Sequence, residues 1–105
     1  MNTDDLFKKL LARCEEYYNQ EELKQITLAY QFGCEKHKDK MRLNGLPYMT
    51  HPLGVMEILL DMNVDVATIV ASLIHETMNH ASATKEEIAA LFGEDVANIV
   101  WTISK

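Results

Sequence analysis

Residues 65–78 read DVATIVASLIHETM. Asp65 can cap a helix, because its carboxylate accepts hydrogen bonds from backbone N–H groups that have no partner at a helix start. The run that follows is apolar at nearly every position until His75 and Glu76, which leaves no broad polar face for solvent. The stretch therefore predicts a helix over Val66–Met78 that lies at the centre of the fold and is buried on most sides.

Apolar residues at helical spacing predict two more helices on the N-terminal side of this stretch. Thr3 and the acids Asp4 and Asp5 suit a helix start, since a hydroxyl caps free N–H groups and carboxylates favour the positive end of the helix dipole. The second helix is predicted over residues 21–38, and Gly33 weakens its pattern without overturning it.

Residues 40–50 interrupt the periodicity and predict a loop that turns at Asn44-Gly45. Thr50 or His51 is expected to cap the next helix, with Pro52 in its first turn, where a missing N–H group costs nothing. The inward face of that helix is predicted to carry Val55, Ile58 and Leu59.

Two helices are predicted after the central one. Thr84 and Glu87 form a capping box, and Gly93 can end the helix that it starts. The last helix is predicted from about Glu94, with an apolar stripe of Val96, Ile99, Val100 and Ile103. No segment alternates cleanly enough to be a strand. The prediction is an all-α fold of about six helices, in a single domain over residues 1–105.

Composition excludes several classes of partner. The 105 residues carry 16 acidic and 10 basic side chains, a formal net charge of −6 without a basic block, so nucleic acid and anionic membranes would be repelled. No apolar run reaches the roughly 18 residues that a membrane span needs. Cys14 and Cys34 form no C-x-x-C pair and are interpreted as reduced apolar side chains, which favours the cytoplasm.

Three side chains suggest metal chemistry. His75 and Glu76 interrupt the central apolar helix, and burying them costs several kcal/mol unless they pair with each other or with a cation. With His51 they offer two imidazoles and a carboxylate, which suit Mn²⁺, Fe²⁺ or Zn²⁺ better than Ca²⁺ or Mg²⁺. A cation there would lower the pKa of bound water for attack on phosphorus. The alternative is a satisfied buried histidine beside a solvated glutamate.

Several motifs of this chain resemble one known family, in both order and spacing over most of residues 22–105. They are residues 29–37, RLNGLPYMTHPL at 42–53, LIHE at 73–76, FGEDV at 92–96 and TISK at 102–105. These motifs resemble the N-terminal hydrolase domain of RelA/SpoT-type stringent-response proteins, an HD domain. The resemblance implies a helical, Mn²⁺-dependent domain that removes the 3′-pyrophosphate from ppGpp or pppGpp to give GDP or GTP.

The resemblance also implies roles for individual residues. His51 matches the first metal ligand and His75 the histidine of the His-Asp doublet, whose aspartate is Glu76 here. Arg42 matches the basic residue that leads the guanosine-binding loop, and Asn44 belongs to the same loop. Guanine nucleotide and Mn²⁺ are thus the expected ligands.

This sequence departs from the family pattern at positions that have catalytic or ligand-binding roles in the family. The family's Glu-Asp pair after the doublet is Asn79-His80, and an amide cannot take up a proton at neutral pH, although His80 could. The family's Lys and Ser after the leading arginine are Leu43 and Asn44. The last metal ligand, an aspartate, lies in the family beyond the position of Lys105.

Three hypotheses follow from the sequence. The first is a weak or partner-completed Mn²⁺ phosphohydrolase. The second, which the departures favour, is a degenerate regulatory or structural HD module that binds guanine nucleotide or a protein without catalysis. The third is a plain helical interaction domain. If further helices normally cover the central and last helices, as in the family, the chain is a bundle truncated on its C-terminal side and is expected to self-associate.

Overall fold

The computed structural model describes residues 3–38, 48–80 and 83–104, which are helical with short connections. No strand occurs within these ranges, so the predicted all-α fold is confirmed. Six helices have eight residues or more, and a seventh, α5, has four. The helices are α1 (Thr3–Cys14), α2 (Gln20–Lys36), α3 (Thr50–Asp61), α4 (Val66–Ile74), α5 (Thr77–His80), α6 (Lys85–Phe92) and α7 (Glu94–Ser104).

Helix α4 lies at the centre, as its apolar sequence predicts. It packs against α2, α3 and α7, and all six residues from Ile69 to Ile74 are buried. The Asp65 carboxylate caps the helix by accepting from the Thr68 backbone N–H at 2.9 Å. The predicted end of the helix is wrong, because α4 ends at Ile74 and a turn at residues 75–76 separates it from α5.

Gly33 allows α2 to approach α4 closely. A Cβ at this position would lie 3.1 Å from the Leu73 carbonyl oxygen and 2.8 Å from Cε of Met49. The flexible methionine can move, but the backbone carbonyl of a buried helix cannot easily do so. The glycine that weakens the helical pattern is thus explained by a helix crossing.

Gly33→Ala is expected to destabilise the protein by up to about 2 kcal/mol, since overpacking a core typically costs about 1–3 kcal/mol and alanine regains about 1 kcal/mol of helix propensity. Urea unfolding would measure the change. Gly54→Ala in α3 is the matched control, because no heavy atom lies within 4 Å of its added Cβ. That variant should gain stability, and equal effects of the two substitutions would contradict the crossing argument.

The helix starts agree with the sequence in part. Thr84 caps α6 by accepting from the Glu87 N–H, as predicted. At α2 the capping box of Asn19 and Glu22, which the sequence analysis missed, sets the start at Gln20. At α3 the prediction is wrong, because the N-cap is Met49, without a side-chain cap, and Thr50 and His51 already belong to the helix.

The inward face of α3 also differs from the prediction. Ile58 is 63% exposed, and the helix buries Pro52, Leu53, Met56 and Leu60. The helix is apolar around most of its circumference, so its sequence does not distinguish two adjacent stripes. On α7, Val96 and Val100 are buried as predicted, whereas Ile103 is 56% exposed.

Both cysteines are free thiols. Burial raises the pKa of the Cys14 thiol to about 11 and raises that of Cys34 as well. Both groups therefore stay protonated near neutral pH and behave as small apolar side chains, which agrees with their sequence interpretation. Among the described helices, none combines the length and the apolar character that crossing a membrane would require.

Candidate metal centre

Three local features bring the candidate ligands together. His51 lies in the first turn of α3, directly before the buried Pro52. His75 follows the last residue of α4, and Glu76 lies in the turn before α5. Side chains of consecutive helical residues point about 100° apart. His75 keeps helical backbone angles as the C-cap of α4. The side chains of His75 and Glu76 meet His51 at this end of the helix.

One carboxylate oxygen lies between the two imidazoles. Oε1 of Glu76 is 3.3 Å from Nε2 of His51 and 3.5 Å from Nε2 of His75. One ligand atom of each residue lies within 4.8 Å of the other two. The cluster is partly buried, with the His51 side chain 41% exposed and those of His75 and Glu76 each 20% exposed. It is thus shielded but open to a small ligand.

Hydrogen bonds orient two of the three groups. Nδ1 of His75 is 3.1 Å from the Ser72 carbonyl oxygen. A carbonyl only accepts, so Nδ1 carries the proton in this contact, and Nε2 of a neutral ring keeps its lone pair toward the cluster. The Tyr48 hydroxyl donates to Oε2 of Glu76. The other oxygen of that carboxylate, Oε1, faces the imidazoles.

These distances fit a shared divalent ion. Two ligand atoms that each lie about 2.1 Å from an ion and subtend about 90–109° are about 3.0–3.4 Å apart. The two imidazole-to-carboxylate distances are close to this range. Two nitrogens and one oxygen are donors for Mn²⁺, Fe²⁺ or Zn²⁺. Without an ion, the same geometry places one carboxylate oxygen beside two imidazole nitrogens.

A mainly apolar cavity of about 320 Å³ adjoins the cluster. Its polar lining residues are His51 and His75, together with Thr68 and Ser72. The rest of its lining comes from α3, α4 and α7, through Val55, Leu59, Ala71, Ile99 and Ile103. The half-buried Val55 and Leu59 thus face this cavity.

A family model described as "HD domain" matches residues 29–105. The chain belongs to the HD domain family. Similar proteins place it among HD domains of the RelA/SpoT type, as the sequence motifs predict. It is 36% identical over 97 residues to the GTP pyrophosphokinase rsh of Brucella melitensis. It is 34% identical over 100 residues to the bifunctional (p)ppGpp synthase/hydrolase SpoT of Escherichia coli.

This chain spans only a small part of the length of these relatives. The alignments cover 92% and 95% of this chain but 13% and 14% of the Brucella and Escherichia proteins, respectively. A probable GTP pyrophosphokinase of Mycobacterium leprae is 32% identical over 95% of this chain and 13% of its own length. The similarity therefore concerns one small region of much longer proteins.

Some predicted site residues of this HD domain remain predictions. Arg42 and Asn44, expected at the nucleotide, lie outside the described residues. The backbone of Asn79 and His80 belongs to α5, directly after the Glu76 turn, whereas their side chains are outside the description. The structure thus places the backbone of these two acid/base positions near the cluster, and their side chains remain a prediction.

Two residues at the cluster were missed by sequence reasoning. Tyr48 contacts Glu76, and its ring stacks on the buried ring of His37 with centroids 4.2 Å apart. The signal available in the sequence was an aromatic residue three positions before His51, in a segment otherwise interpreted as loop. Nothing in the helical periodicity connects that residue with Glu76, which lies 28 positions away.

Proposed function

We propose that this chain is a divalent-metal HD module of the (p)ppGpp pyrophosphohydrolase type, with very low turnover, in which His51, His75 and Glu76 hold one Mn²⁺. The observation that carries the proposal is the convergence of these side chains on Oε1 of Glu76. Among the described residues, this cluster is the set of His and Glu side chains spaced to hold an ion. The names of the relatives support a guanosine polyphosphate as the ligand.

The residues of such a site have different roles. Mn²⁺, when bound, lowers the pKa of a water molecule and offsets charge on phosphoryl oxygens. The hydrogen bond to the Ser72 carbonyl keeps the His75 ring oriented. Arg42 and Asn44 would contact the nucleotide, as the family resemblance implies. The proton of the attacking water needs a base, and Asn79 cannot accept it, which leaves His80 as a weak candidate.

A second candidate function is a regulatory module that binds the nucleotide or a protein without hydrolysis. The observation that favours it is the residue pair Asn79-His80, where the family has Glu-Asp. Replacing a carboxylate base by an amide removes proton transfer but leaves the ligands of the cation unchanged. Binding would then persist while turnover is lost.

Pyrophosphate release from ppGpp tests these two functions. The assay compares this chain with the longest natural form of the protein, each with millimolar Mn²⁺ and with a chelator. Mn²⁺-dependent release supports the hydrolase. Titration of ppGpp and GDP, followed by calorimetry, separates a silent nucleotide-binding module from a plain helical interaction domain. Absence of both release and binding in both forms would contradict the proposed function.

Self-association is a further expectation for this chain. Trp101 and Ile103 on α7 are 41% and 56% exposed, and Ile103 also borders the apolar cavity. Exposed apolar surface of this kind favours contact with a second copy. Sedimentation equilibrium should therefore show association that rises with concentration and is reduced by Ile103→Glu. Thr102→Glu adds the same charge at an exposed neighbour and is the control. A strictly monomeric wild type would contradict this expectation.

A further inference from the structure

The two oxygens of the Glu76 carboxylate have different surroundings. Oε2 accepts a hydrogen bond from the Tyr48 hydroxyl, and Oε1 faces Nε2 of both His51 and His75. A glutamate side chain has one more rotatable bond than an aspartate, so its carboxylate can adopt more positions. A donor that holds Oε2 restricts those positions and leaves Oε1 in front of the imidazoles.

The Tyr48 ring is itself held in place. It stacks on the His37 ring with centroids 4.2 Å apart and an interplanar angle of 19°. His37 follows the end of α2 and is only 4% exposed. Tyr48 lies two residues before the start of α3. The phenol is therefore supported by the residue that ends α2 and lies just before α3, the helix that carries His51.

We propose that Tyr48 is a positioning residue, which directs Oε1 of Glu76 toward the cation and thereby makes a glutamate usable where the family doublet has aspartate. This inference rests on the proposed function. Groups that orient a metal ligand through a hydrogen bond commonly change metal affinity by about 10–100-fold when they are removed. Tyr48 contacts the ligand and acts on the cation only through it.

A double-mutant cycle separates positioning from general damage to the fold. Tyr48→Phe is expected to weaken Mn²⁺ binding by about 10-fold or more in the natural Glu76 background. In the Glu76→Asp background the same change should cost less than about 2-fold, because the shorter carboxylate cannot contact both the phenol and the imidazoles. Mn²⁺ affinity is measured by the EPR signal of the free ion. Where the wild type binds Mn²⁺, equal losses in the two backgrounds, or no loss in the first, would overturn the proposal.

Tyr30→Phe is the matched control. The Tyr30 hydroxyl also donates to a carboxylate, Oδ1 of Asp4, at 2.6 Å, and this pair joins α2 to α1. Its removal should lower stability without changing Mn²⁺ affinity. A loss of affinity as large as that of Tyr48→Phe would show that any lost phenol bond has the same effect, and would overturn the proposal.

Crystal structures of the metal-free wild type and Tyr48→Phe distinguish this inference from the proposed function. The Glu76 carboxylate is expected to turn away from His51 and His75 in the variant. If the wild type binds no Mn²⁺ but Glu76 moves in this way, the metal function fails and the positioning by Tyr48 stands. If Glu76 keeps its place in the variant, the positioning is overturned, whatever the affinity for Mn²⁺.

Discussion

Saturating Mn²⁺ is expected to raise the melting temperature of this chain, and His51→Ala is expected to abolish the rise. A ligand at about 100 times its dissociation constant stabilises the folded state by about 2.7 kcal/mol. For a domain of this size that corresponds to roughly 10–20 °C. His51 supplies one of the three ligand atoms, and its loss leaves Oε1 of Glu76 facing a single imidazole. Differential scanning fluorimetry with and without Mn²⁺ measures both values.

Glu57→Gln is the control for this experiment. It removes an exposed carboxylate from the same helix, six residues after His51, and should leave the Mn²⁺-induced rise intact. A wild-type melting curve that Mn²⁺ does not move would contradict the metal centre. A rise that survives in His51→Ala but not in Glu57→Gln would place the cation elsewhere.

The combined substitution of Asn79→Glu and His80→Asp is expected to raise Mn²⁺-dependent pyrophosphate release from ppGpp by about 100-fold or more. It restores the acidic pair of the family at these two positions, and a positioned acid or base typically contributes about 10²–10⁴-fold to a rate. The longest natural form of the protein is the suitable enzyme, since the alignments cover only 13–14% of the relatives. Initial rates with and without a chelator provide the measurement.

Gln25→Glu combined with Gln31→Glu is the matched control. It adds two carboxylates at exposed positions of α2, and it should leave the rate unchanged. An equal gain in the control would assign the effect to net charge. No gain in the Asn79/His80 variant, with Mn²⁺ binding intact, would contradict the hydrolase and favour the regulatory module.

The sequence predicts the helices better than their ends. Asp65 and Thr84 cap α4 and α6 as expected, because a capping side chain acts on a backbone group three residues away. The end of α4 at Ile74 has no such local signal, since the apolar run continues to that residue and the break falls at His75 and Glu76. The predicted single helix through this pair differs from the structure, in which a turn at residues 75–76 separates α4 from α5.

The face of α3 shows a second limit. Its sequence is apolar at 53, 55, 56, 58, 59 and 60, so two adjacent stripes are equally suited to the core. The packing of α3 on α4 and α1 selects the stripe with Leu53, Met56 and Leu60. Ile58 is left exposed. Periodicity alone does not show which stripe is buried, because the buried stripe depends on the helices against which α3 packs.

The candidate centre was predicted as a set of residue types and not as an arrangement. His51, His75 and Glu76 follow from their chemistry and from the family motifs. The contact of Tyr48 with Glu76 spans 28 positions, and the stack of Tyr48 on His37 joins the start of α3 to the end of α2. Long-range contacts of this kind leave no periodic pattern in the sequence. They can be identified only once the three-dimensional fold is known.

Anomalous diffraction at the manganese edge, from crystals of this chain soaked in Mn²⁺, tests the central claim most directly. One strong peak is expected about 2.2 Å from Nε2 of His51, Nε2 of His75 and Oε1 of Glu76. A peak at other residues, or no peak while Oε1 of Glu76 stays between the two imidazoles, would contradict it.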